Sequence, residues 1–377
     1  MKKFLLTAIA MLTMATGAWA QNVWNMVITK NDGTQQTIKV SDIKNVSYTG
    51  TTLEDQYADQ VIIKELYNGG CPKDDGSSYF QQDKGFILYN NCKYQAVVNN
   101  LCIAFCTPYN SQANNSNIDV SGKLVYASQG FIPALNGIWY FQEPVVIEPY
   151  SQIVVNVSGA IDNTQTYSQS VNYANPEYYC MYDPEGGYSN TSYYPTPADV
   201  IPTSHYLRAA KYGQGNAWPL SVTSPALFIF QVKGQTPAEF AFNADNLWYD
   251  EGKAQTPVYA SVKIPNEWIL DGIEVFSAAH TENTKRLTDD IDGGAVSLTN
   301  KLGHSLYRNV DKEQTEALPE NAGKLVYGYS LGVGTSTDPS GIDAEASIAN
   351  GAHIIYLDNN NSTGDFHERQ KFSIRKN

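Results

Sequence analysis

The stretch from Val61 to Cys106 decides the fold class. It contains VIIKELYNGG at residues 61–70, KGFILYNN at residues 84–91 and NNLCIAFC at residues 99–106. Each segment holds a short apolar run, and glycine, proline and asparagine residues separate the runs. Runs this short fit buried strands better than helices, because helices need longer periodic segments. The stretch therefore predicts three strands of a β-rich core.

Composition and charge exclude several classes of function. The chain has 377 residues, of which 42% are hydrophobic and 17% are charged, and this is the profile of a globular protein. Its formal net charge is −13, so it lacks the excess of lysine and arginine that phosphate-backbone binding requires. After the N-terminal segment no stretch approaches the roughly 18 consecutive apolar residues of a membrane span. We therefore expect no nucleic-acid partner and no membrane span.

The N-terminal residues 1–20 have the pattern of a secretory signal peptide. Lys2 and Lys3 form a basic start, an apolar run follows, and Ala18-Trp19-Ala20 supplies the small residues of a cleavage site. Cleavage after Ala20 would release a secreted protein. We expect this protein in the periplasm, at the cell surface or outside the cell.

Residues 21–50 predict a small β-hairpin module. WNMVITK alternates apolar and polar residues, Asn31-Asp32-Gly33 supplies a turn, and TIKV forms the returning strand. A two-stranded hairpin is marginally stable alone, so we expect it to dock on another surface. Residues 51–59 predict a polar linker, and residues 60–377 form the main body.

Six segments at both ends of the main body carry a family pattern. They are IKELY at 63–67, FILYN at 86–90, LCI at 101–103, IEPYSQIVV at 147–155, GHSLYR at 303–308 and DNNNSTGDF at 358–366. These segments resemble the lamin-tail domain, an immunoglobulin-like β-sandwich, and the resemblance implies an all-β, expanded sandwich with long loop insertions. The arrangement is similar to an uncharacterised family of exported proteins from Gram-negative gut bacteria. Lys64 and Leu88 replace an asparagine and a glutamate of the family pattern, so no ionic role is transferred to them.

The segment 160–220 is rich in tyrosine and proline. Ten tyrosines lie between Tyr167 and Tyr212, and five prolines predict an irregular excursion without strand ladders. Tyrosine combines an apolar face with a polar tip, which suits the binding of a glycan or a protein. The alternative is an intramolecular cap, because most aromatic area in proteins is buried. The predicted contact patch comprises Tyr178, Tyr179, Tyr193, Tyr194 and Trp218.

The motif Gly-Tyr-Ser-Leu-Gly at residues 328–332 matches the nucleophile elbow of hydrolases. Asp343 and His353 follow Ser330 in the chain order of a catalytic triad. An elbow needs a strand that runs into a helix, whereas glycines and a proline after Ser330 predict a loop. Hydrolysis through Ser330 is therefore an alternative and not the leading hypothesis.

Two runs place oxygen-bearing residues at alternate positions, as calcium sites do. They are Asp358-x-Asn360-x-Ser362 and Asp290-x-Asp292-x-Gly294, and neither has the central glycine and the final glutamate of a calcium loop. Asparagine-rich turns also satisfy their own backbone. Calcium binding by Asp358 and Asn360 is thus an alternative, and we expect no cofactor.

These observations predict an exported, non-catalytic binding or adhesion module that recognises a glycan or a protein at the cell surface. One alternative is a hydrolase that uses Ser330. Another is a structural subunit whose hairpin, residues 21–50, adds to the sheet edge of a partner.

Overall fold

The computed structural model describes residues 24–29, 34–44, 53–218 and 220–376, and the chain forms two compact units, Met1–Thr52 and Leu53–Asn377. In the first unit, strands β1 (Asn25–Thr29) and β2 (Gln35–Lys39) pair in antiparallel fashion. Met26 faces Ile38 across this pair, as the alternating pattern requires. The predicted signal peptide, the Asn31-Asp32-Gly33 turn and residues 45–48 lie outside the described residues.

The second unit is predominantly β, which confirms the predicted class. Its helices are short, and no helix of the described residues is long and apolar enough to span a membrane. The strands are β3 (Val61–Tyr67), β4 (Cys71–Pro72), β5 (Tyr79–Phe80), β6 (Lys84–Asn90), β7 (Ala96–Val98), β8 (Leu101–Phe105), β9 (Phe131–Leu135), β10 (Gly137–Tyr140), β11 (Val145–Ile147), β12 (Gln152–Ser158), β13 (Tyr179–Met181), β14 (Tyr206–Lys211), β15 (Ala226–Gln231), β16 (Leu247–Tyr249), β17 (Ala260–Pro265), β18 (Ile269–Ser277), β19 (Val296–Leu298), β20 (Ser305–Arg308) and β21 (Phe366–Arg369). The helices are α1 (Pro237–Phe242), α2 (Lys312–Ala317), α3 (Ala344–Ala349) and α4 (Ser362–Asp365).

Twelve strands form one mixed sheet in the order β19-β18-β15-β8-β10-β14-β13-β12-β6-β3-β20-β21. The pairs β12–β13, β13–β14 and β18–β19 are parallel, and the other pairs are antiparallel. The opening strand β3 pairs with β20 near the end of the chain. Ser305 donates its hydroxyl hydrogen to Glu65, 240 residues earlier, at 2.6 Å.

The two edges of this sheet approach each other. Thr299, directly after β19, donates its N–H to Glu368 of β21 at 2.8 Å, and its hydroxyl bonds the other carboxylate oxygen at 3.2 Å. The N–H of Ile63 likewise reaches Asp271 of β18 at 2.6 Å. The sheet therefore curls into a nearly closed, barrel-like shape around the main hydrophobic cluster, to which Ile63, Leu88 and Ile273 belong.

The predicted irregular excursion contributes two strands to this sheet, which corrects the prediction for residues 160–220. Strands β13 and β14 lie within it and connect the half that contains β3 with the half that contains β8. The five prolines fall outside both strands, so they do not remove a hydrogen-bond donor from the ladder. The two halves are therefore joined in one continuous, curled sheet.

A smaller layer covers the outer side of the half of the large sheet that contains β8 and β15. Strands β16, β17 and β9 form a three-stranded sheet, and its apolar residues pack with those of β8 and β15 in a second hydrophobic cluster. Two short 3₁₀ turns flank this layer, Ala127–Gln129 before β9 and Asn266–Trp268 between β17 and β18. These turns carry part of the candidate site.

Candidate functional site

Two rings of the predicted tyrosine patch belong to the core. Trp218 is 1% exposed, its ring lies 4.8 Å from that of Phe105, and its Nε1 donates to the Gly137 carbonyl at 3.2 Å. Tyr194 is 5% exposed, and its hydroxyl accepts the N–H of Trp218 at 2.9 Å. Both side chains fill space inside the curled sheet, so the prediction that they contact a ligand is corrected.

The other three rings of the patch are half-buried and do not form one surface. Tyr179 stacks on His205, with centroids 4.2 Å apart, and also contacts Phe141. Tyr179 and Tyr193 pack against the main cluster, whereas Tyr178 packs against a separate cluster around Phe372. All three rings thus pack on neighbouring hydrophobic clusters. A ligand contact at these three rings stays a prediction.

The residues of the serine-hydrolase alternative are dispersed over separate local structures. Ser330 is exposed in a loop without a following helix. The Asp343 carboxylate accepts the N–H of Ala346 at 3.0 Å and caps α3. His353 stacks on Tyr150 and lies 3.5 Å from Glu320. Across residues 53–218 and 220–376, no hydrogen bond joins the three candidate side chains, and the strand-to-helix turn of an elbow is missing at Ser330.

The two oxygen-rich runs dock on each other. The carbonyl of Asn360 accepts the N–H of Gly293 at 2.6 Å, and its amide donates to the Asp290 carbonyl at 3.4 Å. Asp292 accepts hydrogen bonds from the N–H groups of Glu274 and Ser362 at 2.8 Å and 2.7 Å. Donors of the protein itself thus satisfy this carboxylate.

Asp358 of the calcium alternative is paired as well. Its carboxylate accepts Nη1 of Arg308 at 3.1 Å. Asn360 has a positive φ of 49°, a conformation that asparagine tolerates in turns. Within the part of the chain that the structure describes, no three histidine, cysteine or acidic residues come together as a metal site.

The structure contains an open cleft that the sequence did not predict as a unit. Its volume is about 580 Å³, and it lies where the turns of the small layer meet the start of β18 and the docked runs. Carboxylates, amides and aliphatic side chains share the lining. The lining residues are Ala127, Ser128, Gly130, Asn266, Glu267, Ile269, Leu270, Asp271, Asp290, Ile291 and Asn360.

Asp271 is the buried carboxylate of the cleft. It accepts the N–H groups of Ile63 and Gly272 at 2.6 Å and 2.8 Å, and Nη2 of Arg308. Although burial favours the neutral form of the arginine, Asp271, Asp358 and Asp365 raise the pKa of Arg308 above its ordinary value. Burial raises the pKa of Asp271 to about 7, although the charge of Arg308 and the hydrogen bonds from the Ile63 N–H and from Arg308 oppose this shift. Asp271 is paired with Arg308 and is not a free carboxylate of the cleft.

Asp290 and Glu267 are the exposed carboxylates of the cleft. Asn266 donates its amide hydrogen to Asp290 at 2.8 Å. Although partial burial opposes ionisation, hydrogen bonds from neighbouring side chains, Asn266 among them, and from peptide N–H groups hold the pKa of Asp290 below its ordinary value. Asp290 is thus a fixed negative charge, and Glu267 adds a second carboxylate on the turn before β18.

Two residues of the cleft belong to segments that stand out in the sequence for another reason. Asp290 and Asn360 belong to the oxygen-rich runs, and their spacing indicated a surface with many acceptors. The sequence does not predict Glu267 and Asp271 as site residues, because a single acidic residue beside an apolar strand forms no recognisable spacing pattern. Only the return of residues 358–362 to β18 assembles the cleft.

Comparison with known proteins concerns the fold. Residues 148–327 match the model of a family described as protein of unknown function (DUF4876). The structure is similar to the crystal structure of a DUF4876 family protein from Bacteroides thetaiotaomicron VPI-5482, solved at 2.50 Å resolution, with a TM-score of 0.60 and 16% sequence identity. The alignment covers 96% of this chain and 86% of that chain. No curated protein matches.

At that level of identity the likeness shows the fold alone. This similarity to a β-rich protein of a family of unknown function agrees with the prediction that the chain resembles an uncharacterised family. Seven of the eleven residues that line the cleft fall within the segment that matches DUF4876, and the other four, Ala127, Ser128, Gly130 and Asn360, fall outside it.

Proposed function

We propose that this chain is an exported, non-catalytic binding module and that its ligand site is the cleft between the small layer and β18. The observation that carries this proposal is the cleft itself, with a volume of about 580 Å³ and a lining that mixes carboxylates, amides and aliphatic side chains. Sites for small ligands are typically roughly 300–1,000 Å³ and combine apolar walls with a few polar groups. The ligand is a small molecule or an exposed group of a glycan or protein at the cell surface.

A non-catalytic role is favoured over hydrolysis by the surroundings of the candidate groups. The Ser330 hydroxyl lies in a loop, the Asp343 carboxylate caps a helix, and Asp271 is bound by Arg308. A general acid or base needs a proton that it can exchange with the substrate within hydrogen-bond distance. The Asp343 carboxylate is engaged by the N–H of Ala346, and the Asp271 carboxylate is engaged by Arg308 and by the N–H groups of Ile63 and Gly272.

The experiment uses the protein from residue 21 to residue 377 and saturation-transfer NMR with four probes: chitobiose, maltotriose, cadaverine and a blocked Gly-Lys-Gly tripeptide. Ser128→Trp places a bulky ring into the cleft from an exposed turn, and Thr281→Trp adds the same ring at an exposed position outside the lining. We expect at least one probe to bind the parent protein and the Thr281 variant, and to lose binding in the Ser128 variant. If no probe responds to the Ser128 substitution, the cleft is not the ligand site.

Export is a separate part of the proposal and is supported by the signal-peptide pattern of residues 1–20. Fractionation of the producing cells, followed by N-terminal sequencing, tests it. We expect a mature chain that begins at Gln21 in the periplasmic, surface or medium fraction. A chain that keeps Met1 in the cytoplasmic fraction contradicts export.

We also propose that the half of the large sheet formed by β12, β6, β3, β20 and β21 is related to lamin-tail domains. Support comes from the placement of the motifs, since β12, β6, β3, β20 and β21 are consecutive neighbours and carry or adjoin five of the six matching segments. The sixth segment lies on β8 in the other half. An experimental structure in which these five strands superpose on a lamin-tail domain in the same order would support the relation, and a different strand order in such domains would refute it.

A further inference from the structure

We infer that the cleft selects ligands that carry an alkylammonium group, with an aliphatic diamine as the simplest example. This inference rests on the proposed function and adds the chemical class of the ligand. It depends on the balance of charge in the cleft, on the balance of hydrogen-bond donors and acceptors, and on the nature of the apolar lining.

The exposed charge of the cleft is negative. None of the eleven lining residues is basic, and of the three acidic ones Asp271 is paired with Arg308, whereas Glu267 and Asp290 are exposed. The cations around it have other partners. Arg308 is shared by three carboxylates, and Lys285 is paired with Asp289. The ammonium group of Lys233 donates to the backbone carbonyl of Glu267 at 3.2 Å, so it offsets one of the two exposed negative charges and leaves the other. A cationic ligand therefore meets an attractive potential here, whereas an anionic ligand is repelled.

The exposed polar groups of the cleft need hydrogen-bond donors. The carboxylate of Glu267 has no hydrogen-bond partner among the described residues, and the Asp290 carboxylate accepts the amide of Asn266 at 2.8 Å while its side chain stays exposed. An ionised carboxylate only accepts, with about four lone-pair sites, whereas an ammonium group donates three hydrogens and accepts none. The two groups are complementary, and their hydrogen bonds are charge-assisted.

The apolar lining suits a hydrocarbon chain better than a sugar ring. Ile269, Leu270 and Ile291 provide aliphatic surface, and no aromatic ring belongs to the lining. Carbohydrate sites typically use a flat aromatic face, which is missing here. Methylene groups between two ammonium ends can cover the aliphatic surface while each end stays near a carboxylate. Glu267 and Asp290, as two exposed carboxylates, favour two ammonium groups.

Isothermal titration of the same 21–377 protein tests the inference with matched probes. Cadaverine is compared with pentanediol, which has the same carbon chain but no charge, and with the blocked Gly-Lys-Gly tripeptide, which presents the same alkylammonium group on a peptide. The test variant combines Glu267→Gln with Asp290→Asn. The control variant combines Glu251→Gln with Glu282→Gln, which removes the same charge from exposed residues outside the lining.

We expect cadaverine to bind the parent and control proteins and to lose at least tenfold in affinity in the test variant. Its affinity should also fall as ionic strength rises from about 0.05 M to about 0.5 M, because salt screens charge pairs. Stronger binding of cadaverine than of the tripeptide identifies a free diamine as the ligand type, and the reverse order identifies a lysine side chain.

Two results would overturn the inference in distinguishable ways. If pentanediol, chitobiose or maltotriose binds as tightly as cadaverine and Ser128→Trp blocks that binding, the cleft is a ligand site for neutral molecules and only the alkylammonium inference fails. If cadaverine binds the test and control variants equally and Ser128→Trp has no effect on any probe, the proposed site fails as well.

Discussion

A buried ammonium group shows how single residues of this fold depend on distant partners. Lys64 lies within the apolar run of β3, and its Nζ donates to Gln152 at 2.7 Å and to Glu345 at 2.8 Å. The same nitrogen lies between 5.3 and 5.8 Å from the ring centroids of three tyrosines. These rings are Tyr89, Tyr307 and Tyr356. The carboxylate and the ring faces together offset the loss of hydration.

Glu345→Gln should destabilise the protein in a pH-dependent way. Burial opposes ionisation of Glu345, but the charge of Lys64 and hydrogen bonds from Lys64 and Tyr307 lower its pKa from 4.5 to about 2. A carboxyl with a lowered pKa in the folded state contributes stability above its unfolded pKa and loses it as the pH falls through the folded pKa. The side chain is 34% exposed, so we expect a loss of about 1 to 3 kcal/mol near neutral pH.

Urea unfolding at a series of pH values measures this effect. The difference between the Glu345→Gln variant and the parent should shrink as the pH approaches about 2, where the carboxyl becomes protonated. A double variant with Lys64→Met should recover part of the loss, because it removes the unpaired buried charge. A pH-independent difference, or no recovery in the double variant, contradicts the assigned ion pair.

Lys84→Met should raise the free energy of unfolding, whereas Glu345→Gln should lower it. Lys84 is buried at the start of β6, its Nζ donates to the Leu220 carbonyl, and burial lowers its pKa from 10.5 to about 7. Because the pKa of this lysine is lower in the folded state, folding releases a proton. Burial of the amine therefore destabilises the fold most at low pH, and this destabilisation disappears above the unfolded pKa. We expect the variant to gain about 1 to 2 kcal/mol at mildly acidic pH, after the loss of one hydrogen bond.

The measurement for Lys84→Met is chemical unfolding at mildly acidic pH and again at a pH above about 10, where the gain should vanish. Lys253→Met is the control, because Lys253 is exposed and should change stability little at either pH. Equal stability of the parent and the Lys84 variant at the lower pH would show that the buried amine is not costly.

At the scale of residues, the sequence identified buried positions but not the pairing of polar groups within them. Lys64 appeared as a departure from a family pattern, and its partner Glu345 lies 281 residues away. No local spacing encodes such a pair. The tyrosine patch failed in part for the same reason, because burial of Tyr194 and Trp218 depends on Phe105 and Gly137 from remote strands.

At the scale of elements, the loop that carries Asp290 is attached to β18 by a buried ion pair. Glu274 accepts Nε and Nη2 of Arg286 at 2.9 and 2.5 Å, and it accepts the N–H groups of Arg286 and Leu287 at 2.7 and 2.8 Å. Arg286 also donates to the carbonyls of Pro108 and Ser224 at 3.0 and 2.8 Å. One side-chain pair thus connects the loop to β18 and to two further segments.

Glu274→Gln should loosen this loop. The substitution removes the charge that compensates a fully buried guanidinium, and breaking such a pair costs about 3 to 5 kcal/mol. Hydrogen exchange followed by mass spectrometry should show faster exchange in residues 283–292 than in the parent protein. Asp289→Asn is the control, since Asp289 lies in the same loop but its side chain is 92% exposed. Unchanged exchange in the Glu274 variant would mean that other contacts hold the loop.

The sequence also predicted elements unevenly, for a physical reason. Segments with a continuous apolar run, such as Val61–Tyr67 and Lys84–Asn90, form the predicted strands. The three residues of Tyr179–Met181 are too few to show a period, and their parallel partners lie in β12 and β14. The same holds for the residues of the cleft. The spacing of the oxygen-rich runs predicts a group of acceptors, but only the folded chain brings these runs close to Glu267 and Asp271.

At the scale of the whole molecule, the unit Leu53–Asn377 contains the elements that the proposals need. All twelve strands of the large sheet and the hydrophobic clusters around them belong to it, as do the residues that line the cleft. Its edges are joined within the unit by the bonds between Thr299 and Glu368. A unit with its own core and closed hydrogen bonding is expected to fold independently.

Deletion of residues 21–52 should therefore leave residues 53–377 folded and able to bind cadaverine if the parent protein binds it. We expect a single cooperative thermal transition with a midpoint within about 2 °C of the parent, a shift that corresponds to roughly 1.4 kcal/mol at an unfolding entropy of about 2.1 cal/mol/K per residue. Circular dichroism and calorimetry measure the transition, and titration with cadaverine measures the cleft. Loss of cooperativity would show that the hairpin supports the core. If the truncated protein stays folded but is released from a surface assembly, the result favours a docking role for the hairpin. Each of its two strands has one neighbour in the described sheet, so its other edge is open to a partner sheet.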